Sequence, residues 1–255
     1  MKGFRAAVNF TKVSVRDAYG NITLYVFLCV VFFVIQFLFG GAGDWLRANG
    51  SRMNLWELYI WFMSTRQSQV IYLLGVIFLA GQAMNFHSES AYYLLRMDRA
   101  AWAFSRALLL LVHVVALNVF LLASFCIVCK GMVTIEGAWS EAAMTAARFS
   151  VEELGMRPVV SMPFGLLQSN PNAAGGLAFA LAVLIGMFTG LLLMLFYMNN
   201  RPGYGIMLLF LLWFLDIVIE SEAFMTVLEY MSPFGLSRLS RLSINYGRPL
   251  VLYAV

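Results

Sequence analysis

The stretch SESAYYLLRMDRAAWAFSRALLLL, residues 88–111, holds five charged side chains between two long apolar runs. Residues 67–86 contain no Asp, Glu, Lys or Arg, and neither do residues 107–129. An uncharged helical run of about 20 residues crosses a hydrocarbon core of about 30 Å. We therefore predict that this charged stretch, called the island below, connects two membrane-spanning helices.

The whole chain has the composition of a polytopic helical membrane protein. It is 62% hydrophobic and 12% charged, whereas a soluble domain carries roughly 25% charged residues. The net charge of +4 does not indicate a nucleic-acid partner, because the basic residues are spread along the chain. Basic residues in membrane proteins mainly set orientation. We predict an all-α fold with a single transmembrane domain over residues 1–255, surrounded by membrane lipids.

The apolar runs predict six transmembrane helices. Seven residues remain after the sixth begins at Pro249, which is too few to span a bilayer. We expect the rest of that helix to lie beyond this sequence; the alternative is a protein with five spans. The other five spans are predicted at 22–41, 67–86, 105–129, 174–198 and 203–220.

Two further segments have their own patterns. Residues 1–21 place apolar side chains at helical spacing opposite basic ones, which predicts an amphipathic elbow helix lying in the membrane surface. Its apolar stripe comprises Phe4, Val8, Thr11, Val15 and Ala18. Residues 54–63 are rich in Trp and Tyr, so we expect them to lie along the outer interface or to extend the second span.

The density of basic residues predicts the orientation. With a cytosolic N-terminus, the inner segments hold 8 Lys and Arg in 47 residues, and the outer segments hold 9 in 97. Basic residues are then about twice as frequent inside, in agreement with the positive-inside rule. This orientation gives a cytosolic segment at 87–104 and an extracytoplasmic loop at 130–173.

Small residues form a stripe along the fourth predicted span. Every fourth residue from 174 to 190 is Ala or Gly, and the last two form a G-x-x-x-G motif. Small side chains let helix backbones approach closely, which favours helix association in lipid. We predict close packing at Ala182, Gly186 and Gly190, against a helix of this chain or of a second copy.

Polar residues inside spans are candidates for function by default. Asp216 and Glu220 lie four residues apart and share a helix face, so they either line a substrate path or mark a helix end that reaches water. His113 and Asn118 lie inside the third span. We expect His113 to be a neutral, hydrogen-bonded packing residue rather than a proton site.

The island combines an apolar patch with charges of both signs. An amphipathic segment of this kind can insert its apolar face into a groove on another protein, with ion pairs setting the register. The alternative is a solvated loop whose arginines follow the positive-inside rule. The residues that would make the docking contacts are Glu89, Tyr93, Arg96, Asp98 and Arg99.

The island resembles the connection between the second and third spans of ABC-2 type transporter permeases. Those proteins show an acidic residue, a short apolar run, a basic or polar turn, and an Arg or Lys that opens the next helix. Glu89, residues 93–95, residues 96–99 and Arg106 occupy those places here.

Two other features extend the resemblance over nearly the whole chain. Ser232-Pro233 resembles the Ser-Pro segment before the family's last span, and the basic amphipathic lead resembles its elbow helix.

The resemblance implies the permease subunit of an ATP-driven exporter in a bacterial plasma membrane. Two permease copies would pair with two ATPase chains, and the island would dock on the ATPase as a coupling helix. Since the sequence has no G-x-x-x-x-G-K-[ST] loop, ATP and Mg²⁺ are expected on the partner, with no catalytic residue, metal or cofactor in this chain. The apolar path suits an amphipathic peptide, an antibiotic or a lipid-like substrate.

Two alternatives belong to other classes of protein. EELGMR, residues 152–157, matches the E-E-x-x-x-R motif of CAAX-protease-like membrane enzymes, but both histidines of the chain, His87 and His113, precede it. That order, and a polar setting that would keep both glutamates ionised, disfavour an intramembrane enzyme. The other alternative is an ATP-independent accessory or immunity protein that binds a toxic peptide, which the sequence barely separates from a permease.

Overall fold

The computed structural model describes residues 2–48, 50–84, 98–129, 131–141, 144 and 170–221. The predicted sixth span and residues 88–97 of the island lie outside these residues. The regular secondary structure of the described part consists of helices and one pair of two-residue strands. In chain order its elements are α1 (Lys2–Gly20), α2 (Ile22–Ala48), β1 (Met53–Asn54), α3 (Leu55–Ser64), α4 (Arg66–Met84), α5 (Arg99–Val128), β2 (Val133–Thr134), α6 (Pro171–Met198) and α7 (Pro202–Ser221).

Four helices, α2, α4, α5 and α6, are long and apolar enough to cross a membrane. They coincide with the first four predicted spans, so the prediction of a helical membrane protein is confirmed at this level. The fifth predicted span corresponds to α7, whose apolar part is described as a shorter helix over Pro202–Leu215.

Three helices extend several residues beyond the predicted spans. Helix α2 ends at Ala48 rather than at 41. Helix α5 begins at Arg99 rather than at 105, so residues 99–104 of the predicted cytosolic segment are helical. Helix α6 begins at Pro171 rather than at 174, so the predicted outer loop ends at Asn170. Asn170 caps α6 by accepting a 2.9 Å hydrogen bond from the Asn172 amide, and proline is favoured at the first helical position.

Helix α3 is buried on every side, which corrects the prediction for residues 54–63. Seven of its apolar residues and Glu57 are buried, whereas a helix lying in an interface would leave one face open. It is not a continuation of α4 either, because Thr65 separates the two helices in an extended conformation. The carbonyl of Met63 accepts a 3.0 Å hydrogen bond from Gln69 Nε2, which satisfies part of the end of α3.

The strands join the chain before α3 to the chain after α5. Met53 pairs with Val133 and Asn54 with Thr134 in a parallel arrangement. We call this end of the bundle the paired-strand end. Since α6 starts beside α3 and runs antiparallel to α5, its start also lies there: a Cβ at Gly175 would overlap the ring of Trp56, and one at Gly190 would meet Leu110.

At the opposite end, α1 packs against the first turns of α5. Ala7, Phe10 and Thr11 are buried, and the Thr11 hydroxyl donates a 3.2 Å hydrogen bond to the Ser105 carbonyl. The predicted apolar stripe is only partly the buried one, because Phe4 remains 62% exposed. Packing on α5 rotates the buried face toward Ala7 and Phe10. The described residues therefore establish α1 as a helix docked on the bundle.

Candidate functional site

The start of α5 carries the part of the island that the structure describes. Asp98 precedes the first helical residue with φ −63° and ψ 145°, the geometry of a helix N-cap. Asp side chains at this position normally accept a hydrogen bond from the helix backbone, but the Asp98 carboxylate makes no such bond. Asp98 and Arg99 are both exposed. The two side chains therefore present opposite charges to the surroundings at the base of α5.

Arg106 lies two turns further along α5 and is only 2% exposed. Its Nη1 donates a 3.0 Å hydrogen bond to the Ala83 carbonyl in the last turn of α4, a carbonyl for which the helix supplies no partner of its own. Its guanidinium lies 4.8 Å from the centre of the Phe10 ring in α1, within cation–π distance. Arg106 thus connects the end of α4, the start of α5 and helix α1.

We expect Arg106→Met to destabilise the bundle by about 1–2 kcal/mol, because it leaves the Ala83 carbonyl without its donor and removes the cation from Phe10. Thermal unfolding in detergent measures the loss. Arg106→Lys keeps the charge but not the planar guanidinium, so an intermediate value is expected. Equal stability of the wild type and Arg106→Met would contradict this role.

A chain of polar side chains crosses the interior of the bundle. The Tyr59 hydroxyl of α3 donates a 2.5 Å hydrogen bond to Asn118 Oδ1 in α5. Asn118 Nδ2 donates to the Tyr72 hydroxyl in α4 at 3.1 Å and to the Val114 carbonyl at 2.8 Å. The Tyr72 hydroxyl donates in turn to the Ala182 carbonyl of α6 at 2.7 Å. This series of hydrogen bonds therefore connects α3, α4, α5 and α6, and each side chain in it has a hydrogen-bond partner.

The predicted small-residue stripe lies where this polar chain meets α6. Ala182 is fully buried, and its backbone carbonyl accepts the Tyr72 hydrogen bond. A Cβ at Gly186 would lie 2.7 Å from the Tyr72 hydroxyl oxygen and 2.7 Å from Val114 Cγ1. A Cβ at Gly190 would lie 2.6 Å from Leu110 Cδ2. Within this chain, the stripe admits side chains of α4 and α5 to the backbone of α6.

His113 does not have the hydrogen bonds that the sequence led us to expect. Its side chain is buried, and neither ring nitrogen has a hydrogen-bond partner in the described part of the chain. The ring packs against that of Tyr19 at the end of α1, with 5.8 Å between centroids. The packing part of the prediction therefore agrees with the structure, whereas the predicted hydrogen bond is not found among the described residues.

The paired-strand end holds a buried carboxylate. Glu57 is 0% exposed. Its Oε1 accepts a 2.6 Å hydrogen bond from the Ser140 amide, and its Oε2 accepts from the Ser140 hydroxyl at 2.7 Å and from the Asn54 amide at 3.2 Å. Burial raises the pKa of Glu57, an effect that these hydrogen bonds partly oppose. Asn54 and Glu57 together form the capping box of α3.

The other predicted site residues fall outside what the structure describes. Glu89, Tyr93 and Arg96 lie in the part of the island that precedes Asp98. Asp216 and Glu220 belong to the last turns of α7, of which only the backbone is described. The roles assigned to these five side chains stay predictions.

Three interior residues, Glu57, Tyr59 and Tyr72, were missed by the sequence interpretation. A signal for Glu57 is present: Asn54-Leu55-Trp56-Glu57 has the Asn and Glu spacing of a capping box. The two tyrosines carry no comparable signal, because aromatic residues are as common at membrane interfaces as in protein interiors.

The chain matches no known protein in any of three comparisons: with models of protein families, with curated proteins and with solved structures.

Proposed function

We propose that this chain is the membrane-spanning permease subunit of an ATP-driven ABC-2 type exporter in a bacterial plasma membrane. Two copies would work with two ATPase chains, which bind ATP and Mg²⁺, and the N-terminus would be cytosolic. The cargo best suited to the apolar bundle is an amphipathic peptide, an antibiotic or a lipid-like molecule. The observation that carries the proposal is the island, with its family-like order of charges, at the base of α5.

The surroundings of α5 support a role in transmitting motion. Asp98 and Arg99 are exposed at its first residues, and Asp98 does not use its carboxylate to cap the helix. Two turns on, Arg106 contacts α4 and α1 at once. A partner that pulls on the island would therefore move three helices through one buried side chain. ATP binding on the partner would supply this displacement, and cargo would cross between the two permease copies.

The test is coexpression of the tagged chain with candidate ATP-binding subunits from the same cell. In the triple variant Arg96→Ala, Asp98→Ala, Arg99→Ala, we expect ATPase copurification and ATP-dependent transport to fall about tenfold or more, since charged pairs at an interface set docking and register. Arg201→Ala is the matched control, because Arg201 is an exposed arginine in the other short connection assigned to the cytosol. It should leave both measurements unchanged.

Two results would overturn the proposal. One is normal ATPase binding and transport by the triple variant. The other is a wild-type chain that recruits no ATPase yet protects cells against a membrane-active peptide, which would favour the accessory or immunity function. A labelling experiment that placed residues 88–106 outside the cell would contradict the predicted orientation. The island could then neither dock on a cytosolic ATPase nor transmit its motion.

A further inference from the structure

Residues 132–140 lie over the start of α3, where backbone and side-chain hydrogen bonds hold them. The strand pair contributes two residues from each side, together with a 3.0 Å hydrogen bond from the Met53 amide to the Met132 carbonyl. The side chain of Asn54 donates to the carbonyls of Glu136 at 2.6 Å and Ala138 at 3.4 Å. The carboxylate of Glu57 accepts both bonds from Ser140. The segment is therefore held by backbone pairing, by burial of Trp139 in the core and by the two side chains of the α3 capping box.

Glu57 has no cation beside it. In the ranges that the structure describes, no ion pair to Glu57 is found, and Arg47 pairs with Asp44. Arg52, the nearest arginine in sequence, is exposed, as are Glu136 in the segment 132–140 and Glu141 directly after it. The Tyr59 hydroxyl, one turn along α3, is directed to Asn118. Hydrogen bonds alone therefore compensate the buried carboxylate, although a buried charge normally needs a charged partner as well.

We propose that Glu57, Asn54 and Ser140 form a proton-responsive latch that closes residues 132–140 over α3. In the closed latch Glu57 is buried; in the open latch water reaches it. Protonation removes the cost of burying the charge, so acid favours the closed latch. The Ser140 hydroxyl can donate to the ionised carboxylate or accept from the protonated one, because a hydroxyl does both. The hydrogen bond between Ser140 and Glu57 can therefore form whether Glu57 is ionised or protonated, but its strength differs between the two states.

The direction of the pH effect follows from the raised pKa of Glu57. In the open latch, where water reaches Glu57, its pKa has the ordinary value of 4.5. In the closed latch its pKa is higher. At any pH between these two pKa values, the closed form therefore binds more protons than the open form. Stability of the closed latch therefore falls as pH rises through this window, and it is fully present below 4.5. All residues of the latch are in this chain, so the latch itself needs no partner. A role for the latch in controlling export rests on the proposed function.

Amide hydrogen exchange of the full chain in lipid nanodiscs, with no ATPase present, tests the latch. Peptides covering residues 131–141 are compared at about pH 5 and about pH 7.5, after correction for intrinsic exchange rates. We expect slower corrected exchange at the lower pH, by up to about tenfold for each pH unit inside the window. In Glu57→Gln the corrected exchange should be the same at both pH values, because the amide cannot titrate.

Two further variants separate the latch from a general pH effect. Glu136→Gln removes an exposed carboxylate of the same segment and should keep the wild-type pH response. Ser140→Ala removes one hydrogen bond and should speed exchange at both pH values. The latch is refuted by equal corrected exchange of the wild type at the two pH values, or by a pH response that persists in Glu57→Gln. If the latch responds to pH but the chain recruits no ATPase, the exporter proposal is refuted and the latch proposal is supported.

Discussion

Gly186→Val is expected to destabilise the bundle by about 3 kcal/mol. A Cβ at Gly186 already falls 2.7 Å from the Tyr72 hydroxyl oxygen and 2.7 Å from Val114 Cγ1, and valine adds two methyl groups beyond it. Neither neighbour yields easily: Val114 is β-branched and stiff, and Tyr72 is held by its hydrogen bond to the Ala182 carbonyl. Overpacking of a close-fitting interior typically costs about 1–3 kcal/mol, occasionally more.

Gly176→Val in the same helix is the matched control. No atom lies within 4 Å of a Cβ at Gly176, and the residue is exposed. Its melting temperature in detergent should therefore stay close to that of the wild type, while that of Gly186→Val should fall sharply. If the two variants had the same melting temperature, the small-residue stripe would have no packing role within this chain.

Asn118→Leu is expected to cost about 2–3 kcal/mol. The substitution keeps a side chain of similar size but removes the acceptor of the Tyr59 hydroxyl and the donor to the Tyr72 hydroxyl. A buried polar group left without a partner costs about 1–3 kcal/mol. Of the two tyrosines, Tyr59 loses more, because Tyr72 still donates to the Ala182 carbonyl. Denaturant or thermal unfolding in mixed micelles measures the loss.

A double-mutant cycle with Tyr59→Phe identifies the cause. Removing both partners of a hydrogen bond leaves no unsatisfied group, so the double variant should be more stable than the sum of the two single losses predicts. Hydrogen bonds between membrane helices give coupling energies of about 0.6 kcal/mol on average and up to about 1.7 kcal/mol. Strict additivity would show that Tyr59 and Asn118 do not act together.

The long helices could be predicted from the sequence because their signal is local. An uncharged run such as 107–129 has few alternatives to a helix in a membrane, since every backbone polar group must be satisfied within the segment. The stripe of small residues on α6 was also visible. Its neighbours could not be predicted, because Tyr72 and Val114 come from two other helices.

Helix α3 shows why the rest could not be predicted. Its composition suits a membrane interface and a protein interior equally well, and the choice depends on segments far away in sequence. Ser140 contacts Glu57 across 83 positions, and Gly175 leaves room for the ring of Trp56. The surroundings of His113 could not be predicted for a similar reason, because nothing in its own stretch indicates that the described neighbours leave both ring nitrogens without a hydrogen bond.

The late arrival of Ser140 in the chain has a consequence for biogenesis. When α3 leaves the ribosome, Glu57 can accept only the Asn54 amide, because Ser140 has not yet been translated. The carbonyls that accept from the side-chain amide of Asn54 are also missing, and Ser140 and these carbonyls follow only after the whole of α5. A helix with a carboxylate that lacks most of its hydrogen bonds gains little by leaving water. We therefore expect α3 to remain in contact with water during synthesis. It should pack into the bundle last, after residues 131–140 and the start of α6 have left the ribosome.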